Sequence, residues 1–234
     1  MAAYTTVNDP TIYMNPVPYT GTEVTLSITG VGFQPDLVWL KKRGNTSSHF
    51  WTDAVRGVTE TIYSDANTAE TTESEGLTAF GADGFTLGDD YEINQEDQVQ
   101  MSWNWKANGA GSSNGDGAQT TTVSVDTTAG FSIVSYTGTG TTTNFGHGLG
   151  VKPNVILIKS LASNDWVMNG DFLGSTTWEH KIILNTTAAK ATANNFNDQA
   201  PTSSVWYLNS GHGTTNASSK AFIAYCFADV QGFS

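Results

Sequence analysis

Gly32-Phe33-Gln34-Pro35-Asp36-Leu37-Val38-Trp39-Leu40-Lys41 and Gly150-Val151-Lys152-Pro153-Asn154-Val155-Ile156-Leu157-Ile158-Lys159 are one phrase written twice, 118 residues apart. In each copy a glycine–proline turn leads into a short run of bulky or β-branched apolar residues that stops at a lysine. A run this short, bounded by Pro on one side and a polar turn on the other, predicts a central strand buried on both faces rather than a helix.

Working outward, Tyr19-Thr20-Gly21 returns as Tyr136-Thr137-Gly138, at an offset of 117. The closing strands, Val99 to Trp105 and Ala221 to Phe227, stand 122 apart, a drift that loop insertions between fixed strands produce. In both of them large apolar residues alternate with small or polar ones, the pattern of a half-buried strand. The fold class expected is all-β, with two tandem antiparallel β-sandwich modules, jelly-roll-like, from an internal duplication. The modules are residues 1–107 and 118–234, joined by the Gly/Ser-rich linker 108–117, which holds no residue suited to anchor a core. That the repeats are halves of one larger sandwich remains an open alternative at this point.

Composition agrees. Charged residues make up 14% of the 234, against about 25% in an average soluble domain, so the surface is hydroxyl and amide rather than ionic. Lys and Arg number 10 against 22 Asp and Glu, a net charge of -12 that repels phosphate backbones and anionic bilayers, so no nucleic acid partner is expected. No stretch approaches the ~18 apolar residues of a membrane helix, and no membrane insertion is expected. Met1 to Thr6 has neither the basic nor the apolar region of a secretory leader, which predicts synthesis in the cytoplasm. The lone Cys226 lies in an apolar run and reads as a buried free thiol.

Chemistry-bearing patterns are few. Asp89-Asp90-Tyr91-Glu92 and Glu96-Asp97 lack the alternating ligand order of a calcium loop and read as solvated loops. His49, His147, His180 and His212 are too scattered for zinc, and no Gly-x-Ser-x-Gly elbow is present. No cofactor, no metal and no catalytic residue is expected, and the chain reads as no enzyme. Asp53 and Arg56 read as a local pair that pins a loop, worth little if exposed. Aromatic residues hold more interest: Trp51, Trp166 and Trp178 are the candidate platforms for stacking a sugar, with core packing as their competing use.

The strings Tyr19-Thr20-Gly21, Gly30-Val31-Gly32-Phe33-Gln34-Pro35-Asp36, Asp53-Ala54-Val55-Arg56-Gly57, Asp83-Gly84-Phe85-Thr86-Leu87-Gly88, Trp103-Asn104-Trp105-Lys106-Ala107 and Phe222 to Ser234, together with the opening Met1 to Pro10, carry a resemblance. In their order and spacing the chain resembles the repeat modules of virion proteins from marine tailed phages, including cyanophages and pelagiphages. That resemblance implies a non-enzymatic structural component of the virion, a tail or head fibre or a capsid decoration, with other virion proteins as partners. It goes with a symmetric homo-oligomer, a trimer being one candidate. The alternative is a lectin-like module for a host surface glycan, using Trp51, Trp166 or Trp178.

Overall fold

The computed structural model describes residues 7–233. Residues 1–6, with which the opening string of the resemblance begins, and Ser234 lie outside them. The chain is all-β, and its helices are single turns.

After a 3-10 turn at Pro10–Ile12, the first half runs β1 (Met14–Thr20), β2 (Leu26–Thr29), β3 (Leu37–Lys42), β4 (Phe50–Asp53), β5 (Glu60–Tyr63), β6 (Thr71–Thr72), β7 (Leu77–Gly81), β8 (Gly84–Leu87), the helical turn α1 (Tyr91–Asn94) and β9 (Val99–Trp105). They form a large antiparallel sheet in the order β1-β9-β3-β4-β5-β6 and a small one in the order β2-β8-β7. The second half runs β10 (Ser112–Asn114), β11 (Thr121–Asp126), β12 (Phe131–Thr137), β13 (Thr143–Gly146), β14 (Val155–Ser160), β15 (Val167–Gly170), β16 (His180–Ile183), β17 (Ala191–Thr192), β18 (Val205–Leu208), α2 (Gly213–Asn216) and β19 (Ala221–Phe227). Its large sheet is β10-β11-β12-β19-β14-β15-β16-β17, its small one β13-β18. From β12 to β17 the strand order is that of β1 to β6 in the first half, and the apolar runs of the repeated phrase are the central strands β3 and β14.

The repeated Tyr-Thr-Gly has a mechanical reason. The Tyr19 hydroxyl donates to the Ile93 carbonyl at 2.7 Å, and the Tyr136 hydroxyl donates to that of Thr215 at the same distance. The next residue along each helical turn, Asn94 or Asn216, accepts from the backbone N–H of Thr22 or Thr139 at 2.9 and 2.8 Å. The chain passes so close here that a Cβ on Gly21 would run into the Gln95 carbonyl, and one on Gly138 into that of Ala217. Only glycine fits.

Four layers of sheet stack over three cores. Ile28, Val38, Leu40, Phe50 and Phe85 fill the space between the two sheets of the first half. Val134, Phe145, Ile156, Trp206 and Phe222 do so in the second. The third core joins the halves: Leu37, Trp51 and Ile62 from one large sheet meet Ile133, Leu157, Trp166, Ile223 and Tyr225 from the other. Each half therefore has its own interior, and the two large sheets also pack on each other through the third core.

Two expectations need correcting. The Gly/Ser segment 108–117 is built into the second sheet: β10 pairs with β11, and Gly111 lies so close to Val123 that a Cβ there would meet its backbone. Gly111 and Gly117 serve close approach in this segment, while Gly109 and Gly115 face open space. In β9 the alternation is present but its faces are reversed. Gln100, Ser102 and Asn104 are fully buried, while Met101, Trp103 and Trp105 are only half-buried. Because both sides of the sheet are covered, polarity does not sort by solvent here. Asn104 donates to the Asn15 carbonyl at 2.8 Å and to Ser102 Oγ at 2.9 Å, and Ser102 donates to the Val17 carbonyl at 3.0 Å.

Candidate functional site

The seam between the two large sheets gathers the aromatic residues, a buried ion pair and an apolar cleft. Strand alternation decides which side chains reach it. In β3 Leu37 and Trp39 face the seam while Val38 and Leu40 face the inner core, and register places Trp39 beside Trp51 of β4 and Trp103 of β9. The Trp39 ring centroid lies 4.7 Å from that of Trp103 and 5.4 Å from that of Trp51. Trp51 in turn meets Trp166 edge-on at 5.3 Å and Tyr225 at 5.1 Å across the seam.

At the closed part of the seam lies Arg56. Its Nε donates to Asp53 Oδ2 at 2.6 Å, its other nitrogens donate to Glu70 Oε1 and to the carbonyls of Trp51 and Glu60, and its side chain is 3% exposed. From the opposite sheet the Tyr225 hydroxyl donates to the same Asp53 Oδ2 at 2.8 Å. Burial works against the Arg56 charge, but Asp53, Tyr225 and Glu70 outweigh it and raise its pKa. Burial, reinforced by Asp53, holds the Tyr225 phenol well above its ordinary value. The local Asp53–Arg56 pair that the sequence suggested is present and fully buried, and the Tyr225 hydroxyl ties it to the other half as a weld across the seam. Two further bonds cross nearby: Trp166 Nε1 donates to the Tyr63 carbonyl at 2.8 Å, and Glu70 N to the Leu161 carbonyl at 3.0 Å.

At the open part lies a cleft of about 430 Å³, within the range of small-ligand sites. Trp39, Trp51 and Trp105 line it from the first half, and Leu157, Leu184 and Phe227 from the second. His49, Ser64 and Asp65 add polar groups. His49 Nδ1 accepts from Trp39 Nε1 at 3.1 Å, so the imidazole is neutral with its proton on Nε2, and Asp65 Oδ1 accepts from the His49 backbone N–H at 2.9 Å. Burial lowers the His49 pKa, with Asp65 opposing and Lys41 adding to the shift. The buried indole N–H of Trp51 has no acceptor among the described residues.

Of the three tryptophans singled out in the sequence, Trp51 is 4% exposed and lines the cleft. Trp166 and Trp178 are fully buried. Trp166 fills the seam, and Trp178 packs on Phe196 and donates to Asp171 Oδ1 at 2.8 Å, so neither offers a free ring face to a sugar. Sequence reasoning passed over Trp39, Trp103 and Trp105. Their signal was the i, i+2 spacing of Trp103 and Trp105, which puts both indoles on one face of a strand. Among the described residues no group of three or more His, Cys, Asp or Glu side chains is placed to hold a metal ion. Asp90 caps α1 by accepting from Glu92 N, and burial pushes the Cys226 thiol up to about 12.

The model of one family, described as a domain of unknown function (DUF7483), matches residues 9–234. The chain belongs to the DUF7483 family. No curated protein and no solved structure matches it. The DUF7483 match spans both repeats and the segment between them, so both halves and their shared seam fall within one family unit.

Proposed function

We propose that this DUF7483 protein is a non-enzymatic structural component of a tailed-phage virion, displayed on the particle surface as a fibre or a capsid decoration. The observation that carries the reading is the seam. Two β-sandwich modules, equivalent in strand order and in their Tyr–Asn clamps, are welded face to face over a continuous aromatic core, an arrangement suited to holding shape outside a cell. Internal duplication is the economical origin of such a pair. The resemblance to virion repeat modules supports the particle placement, and a hydroxyl-rich surface of low charge density supports display without nonspecific adhesion. The titratable groups of the weld are already engaged with one another, which supports a mechanical use over a chemical one. Other virion proteins, and further copies of the chain in a symmetric homo-oligomer, are its partners in this reading.

The test is quantitative mass spectrometry of purified particles together with cross-linking of the isolated protein. The reading predicts a fixed copy number per particle that is a multiple of the oligomer's symmetry. A protein absent from intact particles and monomeric at all concentrations contradicts it.

A further inference from the structure

We propose that the cleft at the open end of the seam is a saccharide site that takes an uncharged pyranose with equatorial hydroxyls. This goes beyond the structural role and does not depend on where the protein is displayed.

The first support is an inversion of the usual economy of a strand. β9 buries Gln100, Ser102 and Asn104 and leaves Trp103 and Trp105 partly exposed, as is Trp39; Trp39 and Trp105 line the cleft, and Trp103 adjoins it through Trp39. Large indoles kept partly in water, in contact with one another, form an apolar surface of the kind that marks a binding face. The equivalent face of the second half differs: Ile133, Ile223 and Tyr225 are fully buried against the first half. Among the described residues, this partly exposed aromatic face belongs to the first half and has no equivalent in the second.

The second support is the chemistry of the wall. A pyranose with equatorial hydroxyls presents flat C–H faces that pack on an indole, and hydroxyls at its edge that need donors and acceptors. Asp65 and Ser64 supply acceptors, and the neutral His49 supplies a donor at Nε2. Among the described residues the buried Nε1 of Trp51, a cleft-lining residue, lacks an acceptor, and a ligand oxygen that displaces its cover satisfies it. Charge decides between neutral and acidic sugars. The chain carries -12 and the cleft carries Asp65, so a uronate is repelled.

The test is titration of the full chain with cellotetraose, a neutral β-1,4-linked glucose oligomer, and with β-1,4-linked tetraglucuronate as its anionic counterpart, read by tryptophan fluorescence and calorimetry. The expected result is saturable binding of cellotetraose at one site per chain and none of tetraglucuronate. Trp39→Ala should weaken binding about tenfold. Asp65→Asn, on an exposed loop, should weaken it several-fold, and it carries the test by itself if Trp39→Ala does not fold. Phe172→Ala, an exposed aromatic outside this cleft, should change nothing. Absence of saturable cellotetraose binding up to about 10 mM by the folded chain overturns the proposal. Equal binding of the acidic oligomer, or affinity unmoved by both cleft variants, does so as well.

Discussion

The two halves share one strand order and protect the same sheet edge by different means. In the second half the edge of β12 is covered by two added strands, β11 and β10. In the first half the equivalent strand β1 is itself the edge, and it carries Pro16 and Pro18, which have no N–H to offer a passing strand. Their contributions to the seam also differ. At the position topologically equivalent to Asp53 the second half has Gly170, and opposite Arg56 it has Leu173. One half supplies the charges and the other supplies the tyrosine that meets them. The lesson is that a repeated scaffold need not repeat its surface. Strand order and clamps are common to both halves, while the faces that meet differ and are complementary.

The largest expected effect comes from breaking that complementarity. Arg56→Met leaves Asp53 buried without its cation and should cost about 3–5 kcal/mol, read as a drop in the denaturant midpoint. Adding Asp53→Asn to it should recover part of the loss, because no uncompensated charge then stays buried. A loss under about 1 kcal/mol for the single variant means that the weld is not a seat of stability.

Acid should tell the halves apart. His147 of the second half is fully buried, with Nδ1 accepting from Leu149 N and Nε2 against the Thr202 carbonyl. Burial lowers its pKa from 6.5 to about 4. Folding thus favours the neutral ring: its contribution is fully present above pH 6.5 and is lost as pH falls toward about 4. That loss amounts to no more than about 3 kcal/mol. His147→Gln should flatten the stability profile across this window, and an unchanged slope assigns the acid sensitivity elsewhere.

The clamps test likeness in place of difference. Tyr19→Phe and Tyr136→Phe remove equivalent hydroxyl-to-carbonyl bonds, and each should cost about 1 kcal/mol. Markedly unequal losses mean that the two copies use the motif differently. The smallest effect on stability is expected at the edge. Replacing Pro16 and Pro18 with Val restores two N–H groups to β1 and should change stability by about 1 kcal/mol or less while raising self-association, measured by light scattering.

These contrasts also mark how far the residues alone could be read. The repeated phrase identified β3 and β14 because a short apolar run between a proline turn and a lysine has few other uses, and Val99–Trp105 and Ala221–Phe227 are strands with the limits expected. The packing of the halves was not legible. It depends on a second covered face for each large sheet, and a strand buried on both faces reads the same whether a small sheet or another module lies on it. The cleft was missed for a related reason. Alternation in β9 suggests that Trp103 and Trp105 point inward, and only the hydrogen bonds of Asn104 and Ser102 to β1 make the polar face the buried one. Trp166 and Trp178 illustrate the converse, since nothing local distinguishes an indole that fills a core from one that lines a cleft.

Differential scanning calorimetry of the full chain tests the central claim, that the two sandwiches are one body joined through the seam, most directly. The account predicts a single transition whose calorimetric and van't Hoff enthalpies agree. Two resolved transitions, each with an enthalpy fit for half the chain, contradict it.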